Sequence, residues 1–137
     1  MGSVKRALAV ASAVAVVSAG MVSTGAAIAQ DEMSCSVGFS GNNFEQPRWA
    51  ATDLPSMEQV VTDAGGEFAF FDARLDSAQQ QTDVETIING GADVLVLLAQ
   101  NQDAAVAAIE VANNAGVPVI AYDRLIEDPG VLYITFD

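Results

Sequence analysis

The chain has 137 residues, of which 18 are acidic and five basic, with one Cys and no His. So acidic a balance excludes a binder of the nucleic-acid backbone, which needs a basic surface to displace counterions. Without His and with a single Cys, the usual zinc ligand sets, Cys/His or Ser/His catalytic groups and an internal disulfide are also excluded, and no metal or cofactor is expected.

The amino terminus reads as an address. Met1 to Arg6 is short and basic, Ala7 to Val22 is almost wholly apolar or small, and Ala27-Ile28-Ala29 supplies a small-x-small cleavage pattern. That is the three-part layout of a secretory signal. The alternative is a membrane anchor, since Ala7 to Ala29 is just long enough to span a bilayer. Its Ala, Ser and Gly content makes it weakly hydrophobic, which favours the cleaved signal over residues 1–29. Removing it leaves 108 residues (30–137) with all 18 acids and only Arg48, Arg74 and Arg124 as bases, a formal charge of −15. Such a chain has room for one core and one domain. The acidic stretch Asp31 to Ser34 argues against a lipidated Cys35, which is expected to be a small buried residue opening the first strand.

From Cys35 onward, apolar runs alternate with helical patterns. The runs are Ser36–Ser40, Glu67–Asp72, Val94–Ala99, Val117–Tyr122 and Val131–Phe136, four of them following Gly stop signals. Their continuous rather than alternating apolar character predicts strands covered on both faces. Between them, Pro55–Ala64 is expected as a helix with Pro at its first position, since Pro55 would break a helix begun at Trp49. Ser77–Asn89 starts at a plausible cap, Asp76 or Ser77, and turns Val84, Ile87 and Ile88 inward. Ala104–Ala115 presents Ala105, Ala108, Ile109, Val111, Ala112 and Ala115 on one apolar face, and Gly116 ends it. Strand starts 31, 27 and 23 residues apart are βαβ spacing. That spacing predicts an α/β fold with a parallel sheet and right-handed crossovers; the expected fold class is a doubly wound sheet, taken in the order 2-1-3-4-5.

In such a sheet, ligands bind beyond the carboxyl ends of the strands, where strand order reverses. The loops there are Gly41–Arg48, Ala73–Asp76, Gln100–Asp103 and Asp123–Gly130, and all three arginines after residue 29 lie in or beside them. Arg74 is expected to pair with Asp72 or Asp76, whereas Arg48 and Arg124 are expected to serve a site. Arg48 adjoins Trp49, the only Trp, and a flat ring beside a forked donor suits a pyranose. The competing reading of Trp49 is a core residue packing the first helix on the sheet. Asp123 and Arg124, side by side after the fourth strand, could accept from and donate to one sugar hydroxyl. Strands one and four, two spacings apart, would leave about 10 Å, room for one monosaccharide between Arg48 and Asp123.

The run VGFSGNNFEQPRWAATD, the segment INGGADVLVLLAQN and above all VPVIAYDRLIEDPGVLYITFD resemble periplasmic sugar-binding proteins of the type I class, in particular the xylose-binding branch and its aldose-binding relatives. The resemblance covers about residues 34–137. It implies a non-enzymatic component of an ATP-binding-cassette importer, which binds an aldose such as D-xylose and delivers it to a membrane permease. It assigns ligand contacts to Arg48, Trp49, Asp123 and Arg124, with Trp49 as stacking platform. It further implies an exported or periplasmic location and an N-terminal lobe whose second lobe is missing, as in a truncated gene product. Pro55 and a longer first helical segment depart from the xylose binders.

Other readings are weaker. Glu45 and Asp123 could form the carboxylate pair of an exported glycoside hydrolase, but nothing else supports a nucleophile. A receiver domain would need an acidic cluster after the first strand and an Asp ending the third, where Ser40-Gly41 and Ala99-Gln100 stand. A DNA-binding repressor lacks its helix-turn-helix here and has the wrong charge.

Overall fold

The computed structural model describes residues 34–136, so the signal sequence read over residues 1–29 lies outside the described residues. The elements run β1 (Ser36–Gly41), a π-helical turn (Trp49–Asp53), α1 (Leu54–Asp63), β2 (Glu67–Asp72), α2 (Ser77–Asn89), β3 (Val94–Leu97), α3 (Gln102–Ala115), β4 (Val119–Tyr122) and β5 (Val131–Ile134). All five strands pair in parallel, in the order β2-β1-β3-β4-β5. This is the doubly wound α/β sheet that is expected.

Alternation along the central strands builds two cores. Leu95, Leu97, Val119 and Ala121 face Val84 and Ile87 of α2 and Ala105, Ala108, Ile109 and Ala112 of α3. On the other face, Phe39, Val96 and Leu98 pack with Trp49 and, partly buried, Leu54 and Met57 of α1. The small residues of α3 let it approach closely, and Gly116 closes it in the left-handed conformation, φ 75°. Helix α3 begins two residues before the predicted start, because Asn101 caps it by accepting from Ala104 N at 3.1 Å. Asp76 caps α2 in the same way, on the N–H groups of Ala78 and Gln79.

Three expectations need correction. The helical path is unbroken from Trp49 to Asp63: Leu54 N–H reaches back five residues to Trp49 O. That wide turn moves away the carbonyl that the Pro55 ring would otherwise strike, so Pro55 starts α1 without interrupting the coil. The edge strands are not covered on both faces, since Phe70 of β2 and Leu132 and Ile134 of β5 are exposed. Cys35 is exposed rather than buried, because it precedes β1 instead of lying within it.

Among the described glycines, Gly38 leaves the least room for a side chain. A Cβ there would lie 2.1 Å from Cγ2 of Ile87 and 3.1 Å from its Cβ, so β1 and α2 meet because no side chain intervenes. Gly38→Ala is expected to lower stability by about 2–3 kcal/mol through overpacking, as read from chemical denaturation. An unchanged midpoint would mean that α2 can move off the sheet without cost.

Candidate functional site

The site forms at the carboxyl edge of the sheet, where the start of the π-helical turn that follows β1 meets the end of β4, two strands along. Arg48 lies at its centre, its side chain 38% exposed. Its Nε forms an ion pair with Asp53 Oδ2 at 3.0 Å, and its Nη1 donates to Asp123 Oδ1 at 2.9 Å. The Tyr122 hydroxyl donates to the same Asp53 oxygen at 2.9 Å. The guanidinium carbon sits 4.1 Å from the centre of the Trp49 ring and 4.3 Å from that of Phe136. Two carboxylates and two aromatic rings thus fix one cation in a single pose. A cavity of about 400 Å³ opens beside it, lined by Arg48, Asp53, Tyr122 and Phe136.

Backbone geometry aims the second half of the site. Asp123 adopts the left-handed conformation, φ 64°, which Asp tolerates better than most residues. Its N–H is held by Ile134 O at 2.8 Å, and its carbonyl accepts from the Tyr133 hydroxyl at 3.1 Å. The turn directs its carboxylate onto Arg48. Arg124, exposed, reaches the other way, donating from Nη1 to the carbonyls of Ala99 at 2.9 Å and Gln100 at 3.3 Å. It thereby ties the loop after β4 to the loop after β3.

The four residues singled out from the sequence therefore share one rim, in different roles. Trp49 is not an open stacking platform. It is 5% exposed, packed among Phe39, Val96 and Leu98, and capped by the Arg48 guanidinium, so the core reading of this residue holds. Nor is there a gap for a sugar between Arg48 and Asp123, which touch. Arg48 lies in the segment beyond β1 rather than on the strand, and its side chain and that of Asp123 meet from opposite sides. Arg74 does not pair through its guanidinium with Asp72 or Asp76; instead its main-chain N–H donates to Asp72 Oδ1 at 3.0 Å. Sequence reasoning missed Asp53, Tyr122 and Phe136. Asp53 lies five residues after Arg48, off the i,i+4 spacing of an α-helix, and the π-helical turn brings the two together.

Electrostatics favours a permanently charged Arg48. Partial desolvation works against its charge, but hydrogen bonds with Asp123 and Tyr122 and the charges of Asp53 and Asp123 outweigh it and raise its pKa. The Tyr122 phenol is also raised, by burial first and then by its hydrogen bond to Asp53 and that residue's charge, with Arg48 opposing. The folded state therefore keeps the Tyr122 proton where the unfolded chain has lost it. Stability contributed by Tyr122 is complete below the ordinary tyrosine value, about 10, and is lost as pH rises from there through the raised one. Near-ultraviolet phenolate absorbance should show Tyr122 ionising late, and Asp53→Ala should bring its midpoint down. An unmoved midpoint would show that Asp53 does not govern the phenol.

The chemistry available is recognition rather than turnover. The Asp123 carboxylate is engaged by Arg48, and Glu45 stands exposed on the turn before it, its N–H on Asn43 Oδ1, so the two do not form a hydrolytic pair. Among the described residues no group of three or more His, Cys, Asp or Glu side chains could hold a metal ion, and no helix is long and apolar enough to cross a membrane. A doubly wound lobe with a polar and aromatic rim at the carboxyl ends of its strands defines a ligand-binding lobe.

Comparison with known proteins agrees. The chain belongs to the periplasmic binding protein domain family, whose model matches residues 37–137. It is 32% identical over 91 residues to the ribose import binding protein RbsB of Bacillus subtilis, covering 66% of this chain and 30% of that one. It is 28% identical over 102 residues to the D-xylose-binding periplasmic protein of Escherichia coli, covering 74% and 31%. Among solved structures it resembles an ABC transporter solute binding protein from Clostridium phytofermentans with bound β-D-glucose, with TM-score 0.69 and 34% identity over 74% of this chain and 32% of that one. These relatives are binding proteins and not enzymes, and the chain spans about a third of their length.

Proposed function

We propose that this chain is the sugar-contacting N-terminal lobe of the solute-binding component of an ABC importer. It takes a neutral aldose at the Arg48–Asp123 rim for delivery to the membrane permease, after export directed by residues 1–29. The observation that carries the reading is the Arg48–Asp123 pair at 2.9 Å, opening onto a cavity of about 400 Å³ beside Tyr122 and Phe136. Arg48 commits Nε and one Nη1–H to carboxylates and keeps its remaining N–H donors for ligand oxygens, while Asp123 Oδ2 can accept from a hydroxyl. Arg124 adds a guanidinium at the same rim. The exposed ring of Phe136 offers the apolar surface that Trp49 does not. Ribose, xylose and glucose, the sugars named for the relatives, all present the required vicinal hydroxyls, and an aldose such as D-xylose is the proposed ligand.

Trp49, the single Trp, lies directly beneath Arg48 and reports on it. Titrating the chain with D-xylose, D-ribose and D-glucose, followed by Trp49 emission and calorimetry, should give saturable binding with Kd of about 1 mM or weaker. Affinity is low because one rim leaves half of a sugar's hydroxyls in water. No response to any aldose would overturn the reading.

A further inference from the structure

A second cavity, of about 410 Å³, lies at the β2 edge and is lined by Phe70, Phe71, Asp72, Arg74, Gln79 and Asp83. It shares no lining residue with the Arg48 cavity. Its size falls in the usual range for small-molecule sites, roughly 300–1,000 Å³.

Three features of this cavity are unexplained by folding alone. Asp83, on α2, is 4% exposed; its Oδ1 accepts from Gln79 Nε2 at 2.7 Å, but its Oδ2 has no hydrogen-bond partner. A buried carboxylate oxygen left without a donor is costly, and such groups are rarely left so unless something supplies one. Arg74, in the same lining, is exposed and has no carboxylate within 4.0 Å of its guanidinium among the described residues, in a chain with 18 acids. The backbone that presents it is strained: Arg74 and Leu75 both adopt positive φ, 50° and 64°. That loop is held by Arg74 N–H on Asp72 Oδ1 at 3.0 Å and Leu75 N–H on Asn42 O at 2.8 Å. Asp72 accepts from the main chain through Oδ1 alone, from Arg74 N–H and from Phe44 N–H at 3.3 Å, so the cavity presents the Arg74 cation together with Asp72 and Asp83, each with one carboxylate oxygen without a protein donor among the described residues.

We infer that this cavity is a second binding site, for an α-amino acid with an apolar side chain. The Arg74 fork takes the carboxylate, Asp83 receives the ammonium group and gains the donor its Oδ2 lacks, and Phe71, partly buried on the face of β2 that meets α2, packs the side chain. Opposite charges that line one cavity without touching each other suit a zwitterion placed between them. A neutral sugar would leave both charges unneutralised. The inference is independent of the aldose reading, because the two cavities are built from different residues.

The test is an amide-shift titration of the isotope-labelled full chain with L-leucine to about 10 mM. Saturable shifts are expected at Arg74, Gln79 and Asp83, with Arg48 and Tyr122 unmoved. Leucine amide, which lacks the carboxylate, and isocaproate, which lacks the ammonium group, should each bind at least tenfold more weakly. Arg74→Gln, an exposed change that leaves the core intact, should weaken leucine binding at least tenfold, as should Asp83→Asn. Absence of saturable shifts overturns the inference. So do shifts that survive Arg74→Gln, equal binding of leucine amide or isocaproate, or an Arg74–Asp83 ion pair in solution that leucine does not displace.

Discussion

Phe39→Ala should remove about 3–5 kcal/mol of stability, the usual cost of deleting a fully buried aromatic. Phe39 has no exposed surface and sits on the inner strand β1. Its ring meets Phe44 edge-on at 5.4 Å and Tyr122 at 6.2 Å, and it packs in the core that holds Trp49. A domain of this size has about 5–15 kcal/mol in all, so the variant is expected to unfold at far lower denaturant. The same substitution withdraws the support under Tyr122, so surviving folded protein should also show disturbed Trp49 emission. A loss below about 1 kcal/mol would mean that the aromatic cluster can collapse into the space.

Asp123→Asn separates charge from shape. Asn tolerates the left-handed conformation about as well as Asp, so the turn after β4 should survive. The lost ion pair is partly exposed and should shift stability by no more than about 1 kcal/mol. The aldose response should nevertheless fall by about tenfold or more, because a charged acceptor at the rim becomes a neutral one. Asp123→Val adds a β-branched side chain at φ 64° and should cost a further 1–2 kcal/mol or so. Wild-type aldose binding by Asp123→Asn would remove Asp123 from the ligand-contacting set.

These two residues also mark how far the sequence could be read. Strands and helix faces were legible because each rests on local periodicity: the Val94 run, the Ala-rich face of α3 and the Gly116 stop each need only a dozen neighbours to interpret. The depth of Trp49 was not legible. An aromatic beside an arginine suits a core and a ligand platform equally, and only the packing of Phe39, Val96 and Leu98 around it decides between them. The same holds for Asp53 and Tyr122, which are 69 residues apart and meet through one hydrogen bond. Phe136 was passed over as the end of a strand, yet its ring covers Arg48, 88 positions earlier in the chain.

What the sequence determined by itself is the α/β architecture and the rim on which Arg48, Asp123 and Arg124 gather, since parallel strands joined by helices must place their following loops on one edge. What only the tertiary structure decided is the pairing across that rim: Arg48 paired with Asp53 and Asp123, Arg124 turned to the carbonyls of Ala99 and Gln100, and Arg74 left without an acid among the described residues. The reason is reach. Local patterning sets where a backbone goes, but the last few ångströms of a long charged side chain depend on which distant groups surround it once the strands have come together.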